Sequence, residues 1–302
     1  MVRRLVTLCF VVGCGDVRDE DAMTGVPATT PGTGEMTSSG GSSEAGDGDV
    51  KLDVASEETE GADPDDDDGV CDEDVDIVFV MDVSTSMGPF LSTLADEILV
   101  VDQALADLGL PNAPHYGLVV FVDDYALLGG GAPYADATAL QADFNMWSTF
   151  TASNQQVAGG NQNTTWPENS LDGLYAAATG FQWRPGDDTL RMVIHTTDDT
   201  FWEGPSTQNG VMIQNDYASV AAALQAETIR VFSFAAQIGA MCNCEDVTPG
   251  WSSPYLGMPA IPEATDGNVF DIDAVLAGTV SLADAINQSI EDSMCDPYDP
   301  VG

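Results

Sequence analysis

Basic residues are scarce in this 302-residue chain: 7 Lys plus Arg stand against 50 Asp plus Glu, a formal net charge of −43. Binding a polyanion requires a Lys/Arg footprint that releases counterions, so this deficit excludes nucleic acid as a partner and excludes adsorption on anionic lipid. Apolar runs are also short. No stretch reaches the roughly 18 to 20 residues that a bilayer-spanning helix needs, so membrane attachment would have to come from a tether. Histidine occurs only twice, at His115 and His195, which leaves little material for a histidine-based metal or hydrolase site. Hydrophobic residues make up 44% of the chain, enough to bury one large core or two small ones.

The acid is unevenly placed. Residues 15–74 are built from Gly, Ser, Thr, Pro, Asp and Glu with almost no aromatic or branched apolar side chains, a composition expected to remain a disordered acidic stalk. The run Asp65 to Asp68 lacks the Gly and Glu spacing that folds a calcium loop around one ion. Ahead of the stalk, residues 1–14 place Arg3 and Arg4 before an apolar segment that ends Val11-Val12-Gly13-Cys14. This segment resembles a bacterial lipoprotein signal peptide. The resemblance implies that Cys14 becomes the acylated N-terminus and that the protein is lipid-anchored in a bacterial cell envelope, at the outer membrane or surface. A simple secretory signal is the alternative, and either places the folded part outside the cytoplasm.

Cysteine usage fits an exported chain. Cys71, Cys242, Cys244 and Cys295 remain beyond the leader, an even set that permits three pairings. Cys71 precedes the first expected strand and Cys295 follows the last expected helix. Both are therefore expected at the bottom of a parallel sheet, with Cys242 and Cys244 at the top, which favours a Cys71 to Cys295 link.

Between residues 75 and 295 strand and helix patterns alternate. Continuous apolar runs mark strands at 75–81, 116–122, 190–196, 229–235 and 268–272; helical periodicity marks 88–108, 168–179, 211–227 and 281–294. The expected architecture is α/β, a doubly wound, mostly parallel sheet flanked by helices, with its ligand site at the carboxyl ends of the strands. Residues 239–262, rich in Gly and Pro, read as an insertion near that face, and 296–302 as a tail.

Three loops at that edge carry oxygen donors. Asp82-Val83-Ser84-Thr85-Ser86 follows the first strand, Asn163 to Glu168 precedes a helix, and Thr197-Asp198-Asp199 follows the strand at 190–196. Alternating carboxylate and hydroxyl oxygens around a tight turn suit a hard divalent cation. This constellation resembles the von Willebrand factor A-type domain with its metal-ion-dependent adhesion site, most closely the I-like domain of integrin β chains. The resemblance implies one divalent cation, Mg²⁺ first with Mn²⁺ or Ca²⁺ also fitting. It implies Ser84 and Ser86 as direct ligands and Asp82 and Asp198 as ligands mostly through water. Either Thr165 or Glu168 completes the set. A partner, protein or other, would supply a carboxylate to the last coordination position. Gly88 and Pro89 stand where the family builds an adjacent calcium site, and Thr165 where it places an Asp of a third site, so a single metal is expected.

Trp202, Trp251 and Tyr255 are candidates either for a ligand rim or for loop packing. The competing function is an exported hydrolase or carbohydrate-processing enzyme on a similar α/β fold, with Ser84 or Ser86, His195 and Asp198 as a triad. That serine is not in a G-x-S-x-G elbow, and His195 lies inside an apolar strand pattern, which favours a core histidine and no catalytic turnover.

Overall fold

The computed structural model describes residues 72–237 and 246–301. All of them belong to one compact unit, Asp63–Gly302. The leader with Cys14, the stalk, Cys71, Cys242 and Cys244 lie outside the described residues.

The main sheet has six strands in the order β3-β2-β1-β4-β7-β8. They are β1 (Asp74–Asp82), β2 (His115–Phe121), β3 (Tyr125–Leu127), β4 (Thr189–Thr197), β7 (Ile229–Ala235) and β8 (Asn268–Asp271). Only β3, at one edge, is antiparallel. The continuous apolar run of β1 has the cause expected of a central parallel strand: both of its faces are covered. Ile77, Phe79 and Met81 enter one core layer, and Val78 and Val80 the other. Each such side chain contributes about 1.5 to 3 kcal/mol on full burial.

On the first face pack α1 (Gly88–Asp107), α2 (Ala137–Phe150), α6 (Ile272–Leu276) and α7 (Leu282–Ser293); on the second pack α3 (Ser170–Gly180), α4 (Tyr217–Ala226) and α5 (Ile261–Ala264). Phe144 of α2 meets Phe79 edge-on, ring centroids 5.2 Å apart. The expected fold class is therefore the one observed, and its topology places the site. The strand order reverses beside β1, whose neighbours β2 and β4 continue in opposite directions, opening a crevice at the carboxyl ends of β1 and β4.

Two elements differ from expectation. The helix expected over 211–227 begins only at Tyr217, because residues 211–213 form strand β6 (Val211–Ile213), paired with β5 (Ser206–Gln208) in a separate hairpin. Asn209 and Gly210 form its turn with φ of 44° and 83°, the left-handed geometry an Asn-Gly pair tolerates. Helix α2 also appears where no helix was expected; Asp136 caps it by accepting a hydrogen bond from Ala139 N at 2.8 Å.

At the opposite end, where the parallel strands begin, sit the only Lys or Arg side chains among the described residues. Arg184 pairs with Asp76 at 2.6 Å and Asp74 at 2.8 Å, Arg191 with Glu227 at 3.1 Å, and Arg230 with Asp266. The first and last parts of the described unit meet there too: Cys295 N donates to the Glu73 carboxylate at 2.8 Å.

Candidate metal centre

Strand β1 delivers Asp82 to the crevice fully buried. One carboxylate oxygen accepts from Ser84 N at 2.8 Å and the other from Thr197 Oγ1, at the end of β4, at 2.9 Å. The Ser84 N–H bond curls the chain into a 3₁₀ turn, Thr85–Met87, that runs into α1 with Pro89 in its first turn. This turn faces the two motif hydroxyls together, Ser84 Oγ and Ser86 Oγ 3.2 Å apart, and Ser86 Oγ donates to Asp198 Oδ1 at 3.0 Å. Asp82, Ser84 and Ser86 are thus joined by hydrogen bonds to one another and to Asp198, which is distant in sequence.

The second loop is pinned to the chain after β4. Glu168 N donates to Thr200 O at 2.9 Å and Trp202 N to Glu168 O at 3.0 Å. Asn163 Nδ2 holds Glu168 Oε1 at 2.6 Å, whereas Glu168 Oε2 is buried with no hydrogen-bond partner. Thr165 Oγ1 instead donates to Asp123 at 2.6 Å. Asn163, Thr165 and Glu168, with Ser84, Ser86 and the exposed Trp166, border a cleft of about 230 Å³.

The electrostatics are those of carboxylates without countercharge. Burial, then Asp198, pushes the Asp82 carboxyl up to about 8. Burial and the neighbouring Asp82 push Glu168 up to about 11, against the lowering effect of Asn163. Asp198 is raised as well, by burial first, with Asp273 adding repulsion and the Ser86 hydrogen bond opposing it. A buried orphan oxygen among mutually repelling carboxylates fits a cation, which would satisfy the one and offset the other. Among the described residues no group of three His, Cys, Asp or Glu side chains could hold a metal alone. A cation here would draw on the serine hydroxyls as well.

Asp123, also fully buried, is bound differently. Asn209 Nδ2 donates to it at 2.6 Å and Gln156 Nε2 at 3.3 Å, in addition to Thr165. Three neutral donors, two from the loop before α3 and one from the hairpin, stabilise this carboxylate and tie the hairpin tip to the cleft. Asp172 does the same for the hairpin's exit, accepting from Asn215 N at 2.9 Å and Asn215 Nδ2 at 2.7 Å. Sequence reading missed Asn209, Gln156 and Asp172; the Asn-Gly pair was the available signal. Replacing Asn209 with Asp sets two carboxylates against each other where a 2.6 Å hydrogen bond stood. Asn209→Asp should cost about 1 to 3 kcal/mol at pH 7. Urea melts of wild type and variant would measure the loss.

Of the three aromatic candidates, Trp251 is corrected from rim to core: it is fully buried, its ring centroid 4.3 Å from His195 and 5.3 Å from Phe201. Tyr255, half-buried, packs edge-on to Phe201 at 4.9 Å. Trp202 is half-buried, its indole nitrogen inside. The aromatic open to solvent at the cleft is Trp166, 61% exposed. His195 is fully buried, its Nδ1 3.1 Å from Ser233 Oγ, and burial lowers it to about 3. It is a neutral core histidine whose one hydrogen-bond partner is Ser233 rather than Ser84 or Ser86, so the expected alternative triad is not assembled.

No family model and no curated protein matches this chain. Among solved structures it is similar to an aerotolerance-related membrane protein from Bacteroides fragilis, at 16% identity over 72% of this chain and 99% of the other, TM-score 0.42. It is also similar to proximal thread matrix protein 1 from the mussel byssus, at 16% identity over 76% and 48% of the two chains, TM-score 0.41; that protein is known too with a zinc-occupied MIDAS motif. A third similarity is to the pilus adhesin SpaC from Lactobacillus rhamnosus GG, at 15% identity over 71% and 31%, TM-score 0.44. The chain thus spans about half of the mussel protein and a third of the adhesin.

Proposed function

We propose that this protein is an interaction module of the bacterial cell envelope, tethered through Cys14, that binds a partner's carboxylate through one divalent cation and performs no catalysis. The observation that carries the reading is Glu168 Oε2, buried and unpartnered at the cleft that Ser84 and Ser86 also border. Ser84, Ser86 and Glu168 would hold the ion, Mg²⁺ first among the candidates, with Asp82 and Asp198 behind them. Glu168 is preferred to Thr165 as the fifth donor because its buried Oε2 has no hydrogen-bond partner. When bound, the cation supplies a localised positive charge to a partner carboxylate. The chain's own part is to hold the oxygens in place. Asp82, fixed by Ser84 N and Thr197, orients the serine turn, and the Glu168 backbone bridge fixes the second loop.

Titrating the protein with MgCl₂, MnCl₂ and CaCl₂ tests this. A ligand of the native state alone stabilises it by about 2.7 kcal/mol at a hundred times its Kd. For a domain of this size the melting temperature should rise by roughly 5 to 10 °C. Ser84→Ala and Glu168→Gln should remove the rise. Affinity should increase with pH through 8 and beyond it, because the Asp82 and Glu168 protons must leave as the cation enters. A folded wild-type protein whose melting temperature ignores millimolar metal would overturn the proposal.

A further inference from the structure

Strand β1 is both the way into the domain and the way to the cleft. The chain enters the described unit at residue 72, at the base, and β1 ends at Asp82, with Ser84 and Ser86 directly after it. In a protein anchored through its N-terminal side and held by a partner at the metal, tension therefore pulls β1 along its own axis. The strand is parallel to β2 over seven residue pairs and to β4 over eight, so the ladder bonds on both sides are loaded in shear, together instead of one after another.

Apolar packing alone does little to stop such a strand from sliding. From Ile77 to Met81 every residue is apolar and fully buried. A slip of two residues keeps each of these side chains on its own face and exchanges apolar for apolar. Towards the base it would draw Asp82, Ser84 and Ser86 about 7 Å away from the cleft, at about 3.3 Å per residue.

One residue of β1 breaks that uniformity. Asp76 is fully buried, and the metal-dependent reading makes no use of it. Arg184, between α3 and β4, grips both of its oxygens: Arg184 N donates to Oδ2 at 2.8 Å and Arg184 Nε to Oδ1 at 2.6 Å. The same guanidinium donates to Val75 O at 2.6 Å and pairs with Asp74 at 2.8 Å. Asn112, after α1, donates to Asp74 Oδ1 from its backbone and side-chain nitrogens, both at 3.1 Å. A buried ion pair is a weak source of stability but a strong source of register, because a displaced strand leaves a charge unpaired in the interior.

We infer that Arg184 is a positioning residue that locks the register of β1 against axial load, so that tension from the anchor reaches the cation without moving Asp82, Ser84 and Ser86. The inference rests on the anchored, metal-dependent reading above and adds to it a load-bearing function for the end of the domain opposite the cleft.

Optical tweezers test it on the full chain, in metal-free reducing buffer so that neither a cation nor a cross-link between cysteines shares the load. One handle is attached to a peptide tag inserted between Gly159 and Gly160, exposed glycines of the loop that borders the cleft. The other handle is attached to the N-terminus in one experiment and to the C-terminus in the second. At one loading rate the wild type should unfold at a force at least about twofold higher from the N-terminus, where the β1 ladders are sheared, than from the C-terminus, where α7 is pulled away end first. Arg184→Lys keeps the charge and loses the fork; it should lower the N-terminal force by roughly a quarter or more and leave the C-terminal force unchanged. Asn112→Ala, at an exposed position, should do the same to a smaller extent and gives the comparison if Arg184→Lys does not fold. A residue that only stabilises the fold would lower both forces alike. Equal wild-type forces from the two ends, or a loss of the same size along both axes in the variants, would overturn the inference. Because no metal is present, the outcome is independent of the MgCl₂ titration, which alone decides the metal-dependent reading.

Discussion

Trp251→Ala should destabilise the domain by about 3 to 5 kcal/mol, the range for truncating a fully buried large aromatic that leaves a cavity. Trp251 lies on a loop, yet no part of its side chain is exposed. It covers His195 and meets Phe201 edge-on, while its indole N–H donates to Asp199 O at 3.2 Å. Phe201 also stacks on Tyr217 of α4 with ring centroids 5.5 Å apart. The indole therefore joins the 246–260 segment to the chain that carries Asp198 and, through the Glu168 to Phe201 bridge, to the second cleft loop. Loss of the side chain should weaken metal affinity as well as stability. Trp251→Phe keeps a ring against His195 and loses only the bond to Asp199, so its cost should stay near 1 to 2 kcal/mol by the usual worth of one hydrogen bond and a few buried atoms, about what mutational series give. Urea melts combined with metal titration distinguish the two variants. A loss below 1 kcal/mol for Trp251→Ala would mean that the loop is not anchored by this residue.

The second large effect is an acid sensitivity that originates in His195. Burial lowers its imidazole from the ordinary 6.5 to about 3 in the folded protein. Between those two values the unfolded chain binds a proton at this position and the native protein does not, so stability falls as pH falls from 6.5 towards 3 and is unaffected above 6.5. The full effect is on the order of 4 to 5 kcal/mol at about 1.4 kcal/mol per pH unit. Asp82 and Glu168, both raised, act in the opposite direction: without metal the native state holds their protons to higher pH than the unfolded chain, so they favour the acidic side. A difference measurement separates the two. The stability of wild type minus that of His195→Gln should decline by roughly one proton's slope across pH 6 to 4, because the carboxylate contributions cancel. Parallel pH profiles for the two proteins would show that His195 finds a proton partner in the fold.

The layout of the domain was legible in local pattern. Val75 to Met81 is apolar at every second position on both faces, with only Asp76 interrupting it, and only a strand covered by helices on two sides requires that. The Asp82, Ser84 and Ser86 spacing was equally local, since a tight turn relates residues two apart, and the structure brings those oxygens together as the spacing implied. Asp198 was placed by topology, because β4 lies beside β1.

The tertiary structure decided what depends on residues far apart in the chain. Trp251 and Trp166 are both loop tryptophans near a Pro and a Ser or Thr, yet one is fully buried and the other 61% exposed, a difference set by whether His195 and Phe201 come to meet the ring. The surroundings of Thr165 and Glu168 are likewise long-range: Asp123, more than forty positions earlier, accepts the Thr165 hydroxyl proton, while Glu168 Oε2 is buried without a hydrogen-bond partner. Residues 211–213 satisfy a helical apolar period as well as an extended one. Their pairing with Ser206 to Gln208, anchored by Asn209 on Asp123, selects the strand. Periodicity records which side of an element is buried. It carries no information about the hydrogen-bond partner or ring that a distant loop brings to that side, and at this site those partners set which buried oxygens are left without a hydrogen bond.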